Sequence, residues 1–395
     1  MSPGQTDPSA PDRHADRHAL WADRVFDGHR WHTDAAVLVR DGLIVGIGNR
    51  GEVPADWPQA RLPAGAFLAP GFIDLQVNGG GGVLLNDQPT VEGMCTIARA
   101  HRRFGTTACL PTLISDTRQQ MRTAVASARS IAGRHGILGL HLEGPFISPK
   151  RSGIHRPDRI VQPDPGDLEA LCELTGAGRC LVTLAPECVP AGFVRTLASA
   201  GVRISIGHSE ASADVVMQAV ADGATGVTHL FNAMPPLSGR EPGIIGAALA
   251  ERRLTAGLIV DGIHVDPVSV RAAFTAKGAD RIALITDAMP TVGTSLDRFQ
   301  LLGRTIKRTH GRLIGEEGTL AGAHLDMASA VRNAVRLASL PIEDVLRAAS
   351  LTPARFLGLD NERGALIPGA RADLVALDQE LTVVATWIDG IENAK

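Results

Sequence analysis

Eight short apolar runs of β-forming residues recur along the chain, and segments of helical composition separate most of them. The eight runs are Gly71–Val77, Thr106–Leu113, Ile137–Leu142, Cys180–Ala185, Val202–Ile206, Gly226–Leu230, Ala256–Val260 and Ile282–Ile285. The clearest helical segments are Thr90–Arg103, Thr117–Arg134, Ala191–Ala200 and Ser212–Ala221. Nearly continuous apolar strands that alternate with helices are typical of a parallel sheet covered by helices. Eight such units predict an α/β fold, a closed (β/α)8 barrel of the TIM type.

The two ends of the chain show a different pattern, with short β segments and no helices between them. Near the N-terminus, Ala35–Arg40 and Leu43–Ile47 flank an Asp-Gly dipeptide, which is a strong hairpin signal. Near the C-terminus, Asp373–Leu377 and Thr382–Trp387 look the same. Because a pair of short strands cannot bury a core alone, we expect both chain ends to pair into one small β-sandwich domain.

These patterns predict how the chain divides into domains. Residues 1–17 are polar and are expected to form a disordered tail. Residues 18–68 and 366–395 are assigned to the small β domain, and 69–365 to the barrel. After the eighth apolar run, Phe299–Ile314 is predicted to be an inserted hairpin, and helices are predicted over Ala323–Leu337 and Ile342–Ala349.

Charge and composition exclude several classes of function. The formal net charge is −3, and no basic run is interleaved with aromatic residues, so a nucleic-acid partner is not expected. No apolar run approaches the roughly 18 residues that span a bilayer, and we do not expect the polar N-terminus to be a signal peptide. The five cysteines contain no C-x-x-C pair, which favours reduced thiols over a disulfide framework. We therefore expect a cytoplasmic protein without a membrane partner.

Residues suited to hydrolytic chemistry follow the predicted strands. In a barrel of this type the C-terminal strand ends meet at one rim, so these side chains are expected to face one another. A carboxylate and two imidazoles there would make a catalytic metal site with one position open for water. A further carboxylate would manage the proton, whereas His141 is also consistent with a core residue. The rim residues are His141, Glu143, His208, His229, His264 and Asp287.

An ordered series of motifs resembles the amidohydrolase superfamily and, within it, the N-acetylglucosamine-6-phosphate deacetylase family. The resemblance extends from Leu43 to Asp389. Its motifs lie at Pro70–Gly79, Leu142–Phe146, Gly207–Ser209, Thr228–Pro235, Gly239–Gly243, Asp261–His264, Thr286–Ala288 and Gly369–Leu374. It implies hydrolysis of the N-acetyl group of N-acetyl-D-glucosamine 6-phosphate to D-glucosamine 6-phosphate and acetate.

The resemblance also implies roles for single residues. Glu143, His208 and His229 would hold one divalent metal ion per subunit, with zinc as the first candidate and iron or another divalent ion as alternatives. Asp287 would be the general base that becomes the general acid, and His155 would orient or polarise the acetyl carbonyl. The implied substrate contacts are Ile154, His155, Asn232, Ala233, Arg240, His264 and a closing loop of Leu320, Ala321 and Gly322. The family is commonly a homodimer, so Arg240 would serve its own site or a neighbour's.

The chain departs from the superfamily pattern at two places. Many amidohydrolases carry His-x-His after the first strand, where this chain has Gln76 and Asn78. Amides are poor metal ligands beside imidazoles, so a single metal ion is expected. His324 stands where the family more often has a small or apolar residue. It would be either an extra substrate contact or a neutral substitution.

Three alternative functions stay open from the sequence. The substrate could be N-acetylgalactosamine 6-phosphate or another related amide, because the sequence does not define which sugar stereochemistry is recognised. A cyclic-amide hydrolase or deaminase is disfavoured, since both His-x-His and a bridging lysine after the fourth run are missing. A non-catalytic barrel is disfavoured because Glu143, His208, His229 and Asp287 are all present.

Overall fold

The N-terminal part of the chain forms a sheet that branches at its first strand. The computed structural model describes residues 17–172, 175 and 178–393. The strands are β1 (Arg17–Phe26), β2 (Trp31–Arg40), β3 (Leu43–Gly48), β4 (Gln59–Arg61) and β5 (Phe67–Pro70). β1 pairs with β2 along one edge, and with β4 and then β5 along the other. The hairpin predicted at Asp41 and Gly42 is confirmed, and both residues have the positive φ that a tight hairpin turn requires.

The predicted barrel is confirmed by eight parallel strands within the described residues. They are β6 (Phe72–Val77), β9 (Thr106–Ile114), β10 (Gly139–Glu143), β11 (Arg179–Leu184), β12 (Arg203–Ile206), β13 (Gly226–Val227), β14 (Thr255–Ile259) and β15 (Ile282–Ile285). A small hairpin of β7 (Gly79–Gly80) and β8 (Val83–Leu84) follows the first strand. Almost every strand residue is buried, as expected for strands with side chains inside the barrel and helices outside it.

Seven helices cover the first seven strands of the barrel, and four of them begin at a side chain that caps the helix. They are α1 (Val91–Arg102), α2 (Arg118–Ile131), α3 (Pro165–Cys172), α4 (Phe193–Ser199), α5 (Ala213–Ala221), α6 (Gly243–Ala250) and α7 (Pro267–Lys277). The side chains of Thr90, Thr117, Ser212 and Asp266 each accept a hydrogen bond from a backbone N–H in the first turn of α1, α2, α5 and α7.

A four-stranded antiparallel sheet is inserted after β15, where the sequence predicted only a hairpin. Its strands are β16 (Arg298–Leu301), β17 (Arg304–Thr309), β18 (Arg312–Ile314) and β19 (Leu320–Ala323). The helix predicted from Ala323 begins only at Met327, as α8 (Met327–Arg336). The predicted start is wrong because Ala323 pairs with β18 and Asp326 caps the helix.

The C-terminal part of the chain returns to the first sheet. After α9 (Ile342–Ala349) and α10 (Leu351–Leu357) come β20 (Leu374–Leu377), β21 (Val383–Ile388) and β22 (Ile391–Glu392). β20 pairs with β5, so both ends of the chain form one eight-stranded sheet. Its inner face encloses a separate apolar core that includes Val37 and Trp387. This confirms the predicted pairing of the chain ends and fits a sandwich.

The predicted domain boundaries, 18–68 with 366–395 and 69–365, stay predictions. Residues 1–16 of the predicted tail lie outside the described residues, and Arg17 is the first residue of β1. Within the described residues, no helix has the length and apolar character needed to cross a bilayer.

Candidate active site

Three predicted metal ligands converge at the C-terminal rim of the barrel. Glu143 ends β10, while His208 and His229 each lie two residues beyond β12 and β13. Glu143 Oε1 lies 3.2 Å from His208 Nε2 and 2.9 Å from His229 Nε2. The two Nε2 atoms are 3.0 Å apart. All three residues are at least 95% buried.

The donor set of this cluster fits a divalent cation. His208 Nδ1 lies 2.7 Å from the carbonyl oxygen of Arg151. Since a carbonyl only accepts, Nδ1 must donate, and in neutral His208 the Nε2 atom therefore presents its lone pair. That lone pair faces both Glu143 Oε1 and His229 Nε2, and a single proton on His229 Nε2 cannot satisfy both partners. A cation would satisfy all three atoms. One carboxylate and two imidazoles are common ligands of zinc and related divalent ions.

Electrostatics within the cluster are strongly coupled. Burial alone would raise the pKa of Glu143, but interactions with the neighbouring imidazoles of His208 and His229 hold that pKa well below its usual value. Burial would lower the pKa of His229, but the Glu143 carboxylate raises it. The buried carboxylate is therefore kept ionised, which is the form that binds a metal.

Asp287 faces this cluster and is held by the two amides that follow the first barrel strand. Gln76 Nε2 donates to Asp287 Oδ1 at 3.0 Å and also to Glu143 Oε1 at 3.0 Å. Asn78 Nδ2 donates to the same oxygen of Asp287 at 2.5 Å. Burial, together with the neighbouring Glu143 carboxylate, raises the pKa of Asp287 to about 6. Gln76 thus holds both carboxylates in place, and Asn78 holds Asp287.

His155 has one ring nitrogen, Nε2, without a hydrogen-bond partner among the described residues, so this atom can bind a ligand. Ser115 donates its backbone N–H to His155 Nδ1 at 3.3 Å, and its hydroxyl lies 2.8 Å from the same atom. Nδ1 is therefore the acceptor, and the proton of the neutral ring is on Nε2. Burial lowers the pKa of His155 to about 3, which favours the neutral form. The ring packs against His208 with centroids 4.5 Å apart, so an Nε2–H donor lies beside the cluster.

Several residues at the same rim have a strained backbone. His208, His229 and Asp287 have φ values of +49°, +32° and +51°, and Phe231 and Ala233 are also positive. Residues with side chains rarely adopt this conformation, and clusters of such residues occur at functional sites. Each strand end thus turns sharply as it presents its side chain to the site.

A cavity of about 230 Å³ opens above the cluster and contains most of the predicted site residues. Those that line it are Glu143, Ile154, His155, His208, His229, Asn232, Ala233, His264, Asp287, Leu320 and Gly322. Two predicted contacts do not line it. Arg240 lies on an exposed loop, and Ala321 is fully buried in an apolar cluster with Met289 and Ile306, because alternate residues of β19 point to opposite faces.

Sequence reasoning missed an apolar wall of the cavity. Ile114, Ile259 and Met289 line it together with the predicted Ile154 and Leu320. Asn78, Gly153 and Thr319 complete the lining. Ile114 and Ile259 are the last residues of β9 and β14, so the rule that strand ends face the site could have identified them, whereas their apolar character suggested only core positions.

Two further histidines that the sequence left open lie outside the cavity lining. His141 is fully buried, and its ring nitrogens contact the hydroxyls of Thr112 and Thr183. The structure therefore supports the core interpretation. His324 Nε2 accepts from Arg308 at 2.9 Å, and its Nδ1 lies 2.8 Å from the Thr291 hydroxyl. His324 lines a separate cavity together with Arg103, Thr294 and Asp326.

The barrel and its rim cluster define a class of hydrolytic enzymes, and comparison with known families agrees with that assignment. The model of the Amidohydrolase family matches residues 67–392. The chain therefore belongs to the amidohydrolase family. A second model, the bacterial Imidazolonepropionase-like composite domain, matches residues 35–60 within the N-terminal sheet.

Individual relatives narrow the resemblance. The chain is 42% identical to an N-acetylgalactosamine-6-phosphate deacetylase of Shewanella sp. (strain ANA-3), over 90% of both proteins. It is 35% identical to an N-acetylglucosamine-6-phosphate deacetylase of Haemophilus influenzae, over 90% of this chain and 94% of that protein. The crystal structure of N-acetylglucosamine-6-phosphate deacetylase from Pasteurella multocida superposes with a TM-score of 0.92 at 33% identity, covering 96% of this chain and all of that one.

Proposed function

We propose that this amidohydrolase removes the acetyl group of N-acetyl-D-glucosamine 6-phosphate, releasing acetate and D-glucosamine 6-phosphate. The observation that carries the proposal is the convergence of Glu143, His208, His229, Asp287 and His155 on one cavity. The relatives named as deacetylases of N-acetylated hexosamine 6-phosphates support the substrate class.

Glu143, His208 and His229 are the residues that would hold one divalent ion, with zinc as the first candidate. Such an ion, when bound, polarises the acetyl carbonyl and makes water a better nucleophile near neutral pH. Gln76 and Asn78 occupy the place of further imidazole ligands and are instead bound to carboxylates. This supports one metal ion per subunit.

Asp287 is the proposed carrier of the proton. Both amide donors engage its Oδ1, which leaves the second carboxylate oxygen to take a proton from the attacking water. The same group then returns that proton to the leaving amine nitrogen. A pKa raised by burial to about 6 lies close enough to neutral pH for both transfers.

The acetamide group of the substrate has matching partners in the cavity. The Nε2–H of His155 is suited to donate to the acetyl carbonyl oxygen, where negative charge develops. Asn78 Oδ1 is buried and has no hydrogen-bond partner among the described residues, so it is suited to accept the amide N–H. The apolar wall of Ile114, Ile154 and Met289 fits the acetyl methyl group.

Recognition of the phosphate is proposed to involve Arg240. None of the described residues that line the cavity is Lys or Arg, although the substrate carries a phosphate dianion. Asn232, Ala233 and His264 line the cavity, and we assign them to the sugar phosphate. Arg240, exposed and without a carboxylate partner in the described part of the chain, would add a planar charged fork for phosphate oxygens. In the proposed homodimer it serves its own or the neighbouring site.

The second candidate substrate is N-acetylgalactosamine 6-phosphate. The relative that is 42% identical to this chain is named as a deacetylase of that sugar phosphate. The two sugars differ only in the configuration at one hydroxyl, and the catalytic steps would be the same.

Acetate release from three sugars tests the proposal. N-acetylglucosamine 6-phosphate, N-acetylgalactosamine 6-phosphate and unphosphorylated N-acetylglucosamine are compared with and without a chelator. We expect chelator-sensitive release, fastest from the first and much slower from the unphosphorylated sugar. Faster release from the galacto substrate would replace the first candidate with the second, and no release from any sugar would refute the substrate class. Arg240→Ala should raise KM without changing the metal content.

A further inference from the structure

The barrel closes where the first and last strands of its sheet meet, and backbone pairing at this seam is sparse. In the described part of the chain, the seam has an isolated bridge between Val77, at the end of β6, and Ala288, three residues beyond the end of β15. The N–H of Asp287 also donates to the carbonyl of Gln76 at 3.0 Å. The two residues joined by this hydrogen bond, Gln76 and Asp287, both have their side chains in the active site.

A buried carboxylate connects the two strands at this seam. Asp74, in the middle of β6, is completely buried. Its Oδ2 accepts the hydroxyl of Thr286 at 2.5 Å, and its Oδ1 accepts the N–H of Thr286 and the N–H of Gln76, each at 3.2 Å. Thr286 and Gln76 lie on opposite sides of the seam. The single carboxylate therefore joins the two strands.

No cation balances this carboxylate among the described residues. None of the ion pairs in the described chain includes Asp74, and its partners are two N–H groups and one hydroxyl. Burial raises the pKa of Asp74 to about 7. A buried carboxyl group without a cation is costly, whereas an apolar residue at the same place would fill the core without that cost.

Asp74 forms hydrogen bonds to two residues that determine where Asp287, the proton carrier, lies. Thr286 directly precedes Asp287, whose backbone has φ +51°. The Thr286 hydroxyl donates to Asp74 and also accepts the N–H of Ala288 at 3.2 Å. It thereby connects Asp74 to the residue that follows Asp287. On the other strand, Gln76 donates to the Asp287 carboxylate itself.

We propose that Asp74 is a positioning residue that sets the location of Asp287, acting through the Thr286 hydroxyl and the backbone of Gln76. This inference rests on the proposed function only in that Asp287 carries the reacting proton. Asp74 does not touch the substrate and does not belong to the metal-ligand set. Its effect should be on turnover rather than on binding, because a small displacement of a catalytic group can cost about 10²-fold in rate.

The test compares two substitutions at Thr286 in the full-length, metal-loaded enzyme. Thr286→Val removes the hydroxyl with little change of shape, and Thr286→Ser keeps the hydroxyl. We expect Thr286→Val to lower kcat by roughly tenfold to 10²-fold, with KM and metal content unchanged. Thr286→Ser should keep most of the wild-type kcat. Asp74→Asn should lower kcat in the same way if it folds.

Thr106→Val is the matched control. Thr106 is equally buried, lies at the opposite end of the barrel at the start of β9, and its hydroxyl has no partner among the described residues. Its kcat should equal that of the wild type. The inference is overturned if Thr286→Val keeps the wild-type kcat, if Thr286→Ser loses as much as Thr286→Val, or if KM rises in place of a fall in kcat.

Failure of the proposed function would be seen separately. Turnover of the wild type on the sugar phosphates tests the substrate, whereas the ratio of variant to wild-type kcat tests the role of Asp74. That ratio is measured on whichever N-acetylated compound the wild type hydrolyses.

Discussion

Two polar layers lie one above the other inside the barrel, and they differ in how their atoms are paired. In the lower layer, His141 contacts Thr112 and Thr183, and the hydroxyl chain continues to Thr228 and Ser205. In the upper layer, formed by Glu143, His208, His229 and Asp287, lone pairs and like charges face one another. The lower layer is complete, whereas the upper layer needs a cation and a substrate.

This difference shows why a buried histidine near a strand end is not necessarily a metal ligand. His141 and Glu143 are two residues apart on β10, and side chains two apart on a strand point to the same side. Burial lowers the pKa of His141 to about 4, and both of its nitrogens have hydroxyl partners. His208 and His229 direct Nε2 to a shared point instead. The partner of each nitrogen, rather than burial, separates the two roles.

The largest expected effect is the loss of the proton carrier in the upper layer. Asp287→Asn keeps the shape of the side chain but cannot accept the proton, so kcat should fall by about 10²- to 10⁴-fold. Metal content, measured by elemental analysis, should stay at the wild-type level. Turnover equal to the wild type would rule out Asp287 as the proton carrier.

A change in the lower layer should affect stability instead of chemistry. His141→Leu leaves the Thr112 and Thr183 hydroxyls without their imidazole partner, which should reduce the free energy of unfolding by about 1–3 kcal/mol. Denaturant titration measures this loss, while the metal content should be retained. Loss of the metal with unchanged stability would instead place His141 in the metal site.

The smallest expected effect concerns the hydrogen bond from Asn78 to Asp287. This bond favours the ionised form of Asp287 and so lowers its pKa. The base must be ionised to accept a proton, so activity falls as the pH drops through that pKa. When kcat is measured as a function of pH, Asn78→Ala should therefore move the acidic limb of the curve to higher pH.

The comparison of the two acidic limbs does not depend on the metal. A bound cation would lower the pKa of Asp287 in both proteins, and the direction of the difference is kept. A limb that stays in place, or that moves to lower pH, would contradict the assigned hydrogen bond.

The sequence alone determined the barrel and the position of its rim residues. Ile282–Ile285 and Ile342–Ala349 have the predicted bounds, because apolar runs and helical periodicity are local properties. Glu143, His208, His229 and Asp287 could be found together because the C-terminal ends of all barrel strands meet at one rim. No knowledge of individual contacts was needed for that step.

Tertiary structure alone decided which atoms pair across long stretches of the chain. Asp74 reads as part of an apolar strand, but it bonds Thr286, which is more than two hundred positions away. In the sequence, Gln76 and Asn78 only replace the two histidine ligands of other amidohydrolases, but in the structure their amides donate hydrogen bonds to Asp287. Ala321 turned away from the cavity because β19 joins the inserted sheet. The pairings of Asp74, Gln76 and Asn78 form only when the first and last strands close the barrel, and a local sequence pattern does not predict which residues that closure brings together.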